Sequence, residues 1–332
     1  METILISQEQ IKSLITVKEI VDSVEKTFRG LGDGTVLNPT KLSLDLGESG
    51  GPLPFEGYMN AMPAYVGWAD AAGIKWAGGF LGERKKKGLP YITSMILMLN
   101  PHLGNFTSVM DGAYITNMRT GAQTAIAMQY ILPEGKKSVR LGLFGAGMQG
   151  STQIMSIAQR FDIEEVVVYD IDPECAKTYA SRVEGYVKGK ITVVNRPEDA
   201  AVGDAIISVT HSLKPFIKNE WVQPGTAVFP MGSYQECESD FILNTDKIIV
   251  DHVGQALHRG ALAEVNHQGK ILEEHVFSTI GELVAGKKSA RIKANERYIC
   301  VPIGTGCMDI GVASIVEKRA REQGIGESFS FV

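Results

Sequence analysis

The sequence predicts an α/β protein, with a doubly wound parallel sheet in its central portion and an α+β domain built from its N-terminal portion. Three observations carry this prediction. The chain has 332 residues, about twice a common single-domain length, so two cores are expected. From residue 138 to residue 232, short β-branched runs alternate with amphipathic stretches, as a parallel sheet covered by crossover helices requires. The first 130 residues instead show strand-like segments broken by glycine and proline, which suit the tight connections of an antiparallel or mixed sheet. An apolar content of 44% with 21% charged residues rules out a disordered chain or a fibre. A net charge of −5 is too weak to call for a nucleic acid or an anionic membrane.

In order along the chain, residues 7–14 and 17–28 carry helical patterns, and 41–45, 57–65, 73–80 and 91–99 read as strands. A long helical pattern over 112–132 leads into the central part. There the near-continuous apolar runs 139–144, 165–169, 191–194, 205–209, 227–229 and 247–250 fit strands buried on both faces. A helix is predicted over 152–159, another begins near Pro173 with Asp172 as its cap, and the last, over 309–323, returns to the first domain. The expected domains are therefore 1–130 with 309–332, and 131–308. The N-terminus METILISQEQ lacks the basic and apolar regions of a secretory signal, and no apolar run approaches the ~18 residues of a membrane span, so a cytoplasmic protein is expected. Cys175, Cys237, Cys300 and Cys307 form no CxxC pair and no ligand-spaced cluster. They read as small buried hydrophobes, and no metal site is expected.

The strongest local signal is Gly145-Ala146-Gly147-Met148-Gln149-Gly150, a GxGxxG that follows a predicted strand and opens a helical pattern. Glycines there permit a tight turn and a close backbone approach to a pyrophosphate, whose charge meets the amides and dipole of the helix start. The next strand ends in Asp170, 20 positions after Gly150. A carboxylate at that place accepts hydrogen bonds from ribose hydroxyls and repels a 2′-phosphate, which favours NAD(H) over NADP(H). Thr210, His211 and Ser212 follow the fourth predicted strand at its carboxyl end, where open α/β sheets bind ligands. Thr210 and Ser212 are candidates to line a nicotinamide, and His211 reads as a solvated loop residue.

Lys41, Lys75 and Arg119 stand out in the first domain because their neighbours are apolar. A cation among apolar residues is costly to bury unless an anion or acceptor meets it. Arginine offers a planar fork for a carboxylate, and a partly desolvated lysine loses its proton near neutral pH and serves acid/base chemistry, while the other reading of each of the three cations is a side chain that snorkels to solvent or pairs with an internal acid. The run Arg84-Lys85-Lys86-Lys87, by contrast, reads as a solvated loop.

These cationic segments stand in order with Ala61-Met62-Pro63-Ala64-Tyr65, Gly88-Leu89-Pro90, Met110-Asp111-Gly112 and the glycine loop. In that order and spacing the whole chain resembles the ornithine cyclodeaminase/μ-crystallin family. The resemblance implies a substrate-binding and dimerisation domain of the α+β kind, a Rossmann domain inserted into it, a nicotinamide cofactor and a homodimer. It also implies a small amino acid or its imine as substrate. Lys41 and Arg119 match the residues that hold the substrate carboxylate, Lys41 standing where arginine is usual, and Lys75 matches the lysine beside the reacting carbon. Gly145, Gly147, Met148, Gln149 and Gly150 match the phosphate loop, and Asp170 the ribose carboxylate. Thr210, Ser212, Gly232, Gly304 and Asp309 match further cofactor contacts, with an N-cap as the other reading of Asp309.

One departure decides between activities. Where the cyclodeaminases carry an aspartate in the turn after Gly232, this chain reads Gly232-Ser233-Tyr234-Gln235-Glu236-Cys237-Glu238, with Tyr234 in the carboxylate's place and Glu236 as a possible substitute in a reshaped turn. A phenol of pKa near 10 supplies no anionic base at neutral pH. The expectation is an NAD(H)-dependent amino acid dehydrogenase or imine reductase. The rival readings are an ornithine or lysine cyclodeaminase that recycles NAD+ and releases ammonia, and a non-catalytic crystallin-like binding protein.

Overall fold

The computed structural model describes residues 2–47 and 53–331, apart from the Lys85 side chain. The chain divides into two compact units, Met1–Arg119 with Thr305–Val332, and Thr120–Gly304. The sequence reading placed these breaks at 130/131 and 308/309.

In the first unit, β1 (Glu2–Ile6) leads into α1 (Gln8–Leu14) and α2 (Val17–Asp33). Ser7 and Thr16 each close a capping box at the start of these helices, satisfying amides that the first turn leaves unpaired. Ile20, Val21, Val24 and Phe28 form the fully buried stripe of α2. There follow β2 (Val36–Leu37), β3 (Leu42–Asp45), β4 (Gly57–Val66), β5 (Ala71–Phe80), α3 (Gly82–Lys86), β6 (Ile92–Leu99), β7 (Phe106–Asp111) and α4 (Ala113–Ile131), whose residues from Thr120 onward belong to the second unit. α12 (Gly306–Gln323) and β16 (Glu327–Ser330) close the unit. The strands make one eight-stranded sheet in the order β16-β1-β7-β6-β5-β4-β2, with β3 also on β4. All its pairs are antiparallel except β1 with β7. α12 packs on β4, β5, β6 and α2, which makes that face of the sheet the core face.

The second unit runs β8 (Ser138–Phe144), α5 (Met148–Ile157), β9 (Asp162–Tyr169), α6 (Pro173–Lys177), α7 (Tyr179–Val183), β10 (Lys190–Val193), β11 (Ala205–Ser208) and β12 (Ala227–Pro230). It continues with α8 (Ser239–Leu243), β13 (Lys247–Val250), α9 (Val253–Ala256), α10 (Ala263–His267), β14 (Val276–Thr279), α11 (Ile280–Val284) and β15 (Tyr298–Val301). Its eight strands are all parallel, in the order β10-β9-β8-β11-β12-β15-β13-β14. Leu141, Leu143, Val166, Val168, Ile206, Val228, Ile249 and Ile299 have no exposed surface, as strands covered on both faces demand. The strand order reverses at β8 and β11, the place where doubly wound sheets leave a crevice at their carboxyl edge.

The sequence reading missed β1, β2, β7, β14, β15 and β16. It also started the glycine-loop helix at 152, whereas α5 begins at Met148. The Arg84 to Lys87 run is not a plain loop. Residues 82–86 form a helical turn with Glu83 in its first turn, where Lys86 pairs with Glu83 at 2.7 Å. Cys237, Cys300 and Cys307 are buried, but Cys175 is only half-buried.

Candidate functional site

The glycine loop joins β8 to α5. Gly145 adopts φ +103, open to glycine at little strain, and a Cβ there would sit 2.8 Å from the Val209 carbonyl oxygen. A Cβ on Gly150 would sit 2.2 Å from the Gly145 oxygen, so the loop closes on the helix only with glycine. Gly147 is the N-cap of α5 and offers no side chain to its amides, while a Cβ on it would meet nothing within 4 Å. The helix start therefore presents amides beneath an uncovered surface, flanked by Met148, which is 64% exposed, and half-buried Gln149. Such a donor set, with the helix dipole behind it, suits a pyrophosphate.

Asp170 follows β9, half-buried, beside this loop. Its carboxylate accepts the Ala146 amide at 2.6 Å and the Asp172 amide at 2.8 Å, so it braces the loop. Asp172 caps α6 by accepting from the amides of Glu174 and Cys175, as its sequence position predicts. Cys175 donates its thiol to the Ala146 carbonyl at 3.3 Å, and Arg182 donates to the same oxygen. The half-burial of Cys175 thus has a local cause, which corrects its reading as a buried hydrophobe.

Thr210 and Ser212 lie just past β11, and Gly232 just past β12. Their polar groups converge on Glu236 and on one another. Glu236 is fully buried and accepts from Ser208 Oγ at 2.6 Å, Thr210 Oγ at 2.6 Å, and the amides of Thr210 and Gly232, each at 2.9 Å. Burial raises its pKa, while these four donors favour the ionised form. Glu236 is therefore a tie between the ends of two strands and not a base in reach of solvent, which corrects its reading as a substitute for the missing aspartate. Ser212 Oγ donates to the Lys214 carbonyl at 2.7 Å, and its amide donates to Thr210 Oγ at 3.2 Å. His211 is exposed. Beyond β15, the Gly304 amide donates to Asp251 Oδ2 at 2.7 Å, and Gln123 donates to the same oxygen at 3.3 Å. Asp251, 5% exposed at the end of β13, is a residue that sequence reasoning passed over.

In the first unit, Lys75 on β5, Arg119 on α4 and Asp309 on α12 meet in one buried cluster. Lys75 is 1% exposed, Arg119 6% and Asp309 0%. Lys75 Nζ stands 2.6 Å from Asp309 Oδ2. Arg119 Nε donates to Asp309 Oδ1 at 3.1 Å, and Thr116 Oγ donates to that oxygen at 3.3 Å. Two cations thus flank one carboxylate in a setting nearly free of water. Burial, with the Arg119 charge beside it, pushes the Lys75 ammonium down to about 8 despite the opposing pull of Asp309. A group poised there passes protons near neutral pH.

Asp309 is not an N-cap. Thr305 holds that position, in extended backbone, and Asp309 lies one turn into the helix with its carboxylate turned to the cations. Lys41 is half-buried and immediately precedes β3. Leu42 pairs with Ala61 and Ala61 with Trp76, one row from the pairing of Met62 with Lys75, so the same register continued by one residue sets Lys41 opposite Met62, in the row that contains Lys75. Among the described residues no group of histidine, cysteine or acidic side chains could hold a metal. No helix of the described residues is long and apolar enough to cross a membrane.

Comparison with known proteins adds to this geometry. Over 335 residues the chain is 34% identical to alanine dehydrogenase of Archaeoglobus fulgidus, covering 100% of this chain and 99% of that protein. A solved archaeal alanine dehydrogenase dimer with bound NAD superposes with a TM-score of 0.91 at 33% identity, covering 100% of both chains. The Thermococcus litoralis Δ1-pyrroline-2-carboxylate reductase, solved with NADH and L-proline, superposes with a TM-score of 0.89 at 28% identity, covering 98% of this chain and 99% of that one. The model of the ornithine cyclodeaminase/mu-crystallin family matches residues 1–324, and the chain belongs to that family.

Proposed function

We propose that the protein is an NAD(H)-dependent oxidoreductase that interconverts a small α-amino acid and its imine or ketimine by hydride transfer at the α-carbon. The observation that carries this reading is the Lys75, Asp309 and Arg119 cluster, a buried pair of cations sharing one carboxylate. Arg119, with Lys41, binds the substrate α-carboxylate and so fixes the orientation of the α-carbon. Lys75 takes a proton from the substrate nitrogen in oxidation and returns it in reduction. The nicotinamide supplies or accepts the hydride when bound. Gly145, Gly147, Met148, Gln149 and Gly150 are the residues that would hold its pyrophosphate, and Asp170 its adenosine ribose. Thr210, Ser212, Gly232, Gly304 and Asp309 are its further candidate neighbours. Asp170 supports a preference for NAD(H), because a 2′-phosphate would meet its carboxylate. The activities named for the alanine dehydrogenase and pyrroline-2-carboxylate reductase relatives support the same substrate class.

The open face of the first unit's sheet supports a homodimer. It exposes Leu42 (75%), Trp76 (53%), Met95 (53%) and Phe106 (52%), a concentration of apolar surface that a monomer rarely leaves in water. Exchange of Arg119→Ala tests the catalytic reading: the expected result is a strongly raised KM with NADH binding intact. Loss of NADH binding together with activity would assign Arg119 to structure instead.

A further inference from the structure

The chain passes between the two units twice, at Arg119–Thr120 and at Gly304–Thr305. The first passage lies inside α4, so this link is a stiff helical rod. The second runs through residues 302–305, which carry no regular structure and include Gly304 at φ +87, a left-handed backbone open to glycine at little cost. Val250, which ends β13, pairs with Val301, which ends β15, so the residue after β13 lies beside the start of this second link. That residue is Asp251, which is buried. Its Oδ2 accepts the Gly304 amide at 2.7 Å and Gln123 Nε2 at 3.3 Å. A buried carboxylate oxygen therefore ties the irregular link to the helical one, at the place where both leave the second unit.

We propose that Asp251 is a positioning residue for hydride transfer, and that it acts by fastening the irregular link to α4 through Gly304 and Gln123. The inference rests on the amino-acid oxidoreductase reading given above and adds a residue to it. Arg119 lies one helical turn before Gln123 on α4, and Asp309 follows Gly304 by five residues. The course of the two links therefore governs where the Arg119 and Asp309 pair comes to rest, and with it the substrate carboxylate. α4 is held on the second unit by other contacts as well: Thr124 Oγ donates to Met231 Sδ at 3.4 Å, and Gly121 packs so close to α5 that a Cβ on it would sit 2.3 Å from the Thr152 oxygen. Residues 302–305 have no helix to stiffen them, and backbone rotation between units is absorbed at such element ends. Swinging this link away from α4 strips a buried oxygen and a backbone amide of their bond, which opposes the rotation. The hydride step tolerates little misplacement of the reacting carbon.

The test compares the wild type, Asp251→Ala, Gln123→Leu and the double variant, each as whole enzyme at saturating NAD+ and with rates taken per folded molecule. The substrate is whichever of L-alanine, L-serine and L-proline the wild type oxidises fastest, with and without deuterium at the α-carbon. Asp251→Ala should lower kcat about tenfold or more, with a deuterium isotope effect at least as large as that of the wild type, because the hydride step itself is slowed. Gln123→Leu should show a smaller loss of the same kind, about threefold or more, and carries the test alone if Asp251→Ala does not fold. The double variant should be no slower than Asp251→Ala, since both substitutions break one tie. A role confined to stability lowers the melting temperature and leaves these rates as they were. A kcat within about twofold of the wild type in both single variants, a smaller isotope effect, or a double loss equal to the product of the single losses overturns the proposal. Should no amino or imino acid be turned over, the oxidoreductase reading fails by itself and hydrogen exchange decides the tie. Asp251→Ala and Gln123→Leu should then each quicken exchange of the Gly304 amide, and exchange unchanged by either substitution overturns it.

Discussion

Replacing Asp309 by asparagine removes the negative charge that touches both Lys75 and Arg119 while keeping the side chain's shape. At the 2.6 Å between Lys75 Nζ and Asp309 Oδ2, and an effective dielectric of about 20, the attraction lost is about 6 kcal/mol before anything relaxes. Even a quarter of that, left after water and side chains adjust, moves the Lys75 pKa by about one unit. The direction is downward, because Asp309 is what holds the ammonium up against burial and the Arg119 charge. In the wild type, kcat/KM for amino acid oxidation should rise as pH passes about 8 and that for imine reduction should fall there, because Lys75 must be unprotonated for the first and protonated for the second. In Asp309→Asn both limbs should lie at about 7 or below. The variant is also expected to be less stable at neutral pH, since it removes the carboxylate that two buried cations share. That deficit has a sign in pH. A lysine whose folded pKa lies below its unfolded value of 10.5 penalises the fold in full while protonated, and the penalty is relieved progressively as pH rises from the folded value toward 10.5, so a lower folded value starts that relief at lower pH. The deficit relative to wild type should therefore shrink between about pH 7 and pH 8 in urea titrations. Limbs at the same pH in both proteins, or a limb near 8 that persists in Lys75→Met, would show that the titrating group is not Lys75.

Other expectations follow from single contacts. Asp170→Ser removes the acceptor of the Ala146 and Asp172 amides as well as the anion. NADH affinity should fall about tenfold or more, and discrimination against NADPH should shrink by more than that loss; a discrimination unchanged by the substitution would release Asp170 from that role. Glu236→Ala leaves four donors without their acceptor in the second unit, and should destabilise it by about 3 kcal/mol or more in denaturant titrations. A loss below about 1 kcal/mol would mean that water replaces the carboxylate. Gly150→Ala drives a Cβ to 2.2 Å from the Gly145 oxygen and should abolish NADH binding measured by fluorescence titration. Incubation with ornithine or lysine should release no ammonia without matching NADH, and catalytic ammonia release would favour the lyase.

How much of this was legible in the sequence depended on how local each cause is. The glycine loop and Asp170 announce themselves, since glycines and an acid at fixed offsets from strands have few other reasons to coincide. Lys75 and Arg119 stood out as cations among apolar neighbours. Asp309 did not: an acid near a helix start looks like a cap, and its true partner Lys75 lies 234 positions away. Glu236 was equally opaque, because its four donors come from the ends of separate strands that only the sheet brings together. The missed strands share a cause: β14 and β15 have four residues each, and β15 takes its place between β12 and β13 through pairing rather than through any strong run of its own.

The most direct test of the central claim follows a single atom. The enzyme is incubated with NAD+ and amino acids deuterated at the α-carbon, L-alanine, L-serine and L-proline among them, and the nicotinamide product is analysed by mass spectrometry. Transfer of the deuterium to the nicotinamide ring, with Lys75→Met and Arg119→Ala blocking it while NADH still binds, is the predicted result. Reduced cofactor that carries no deuterium, or transfer that proceeds undiminished without Lys75 and Arg119, would contradict it.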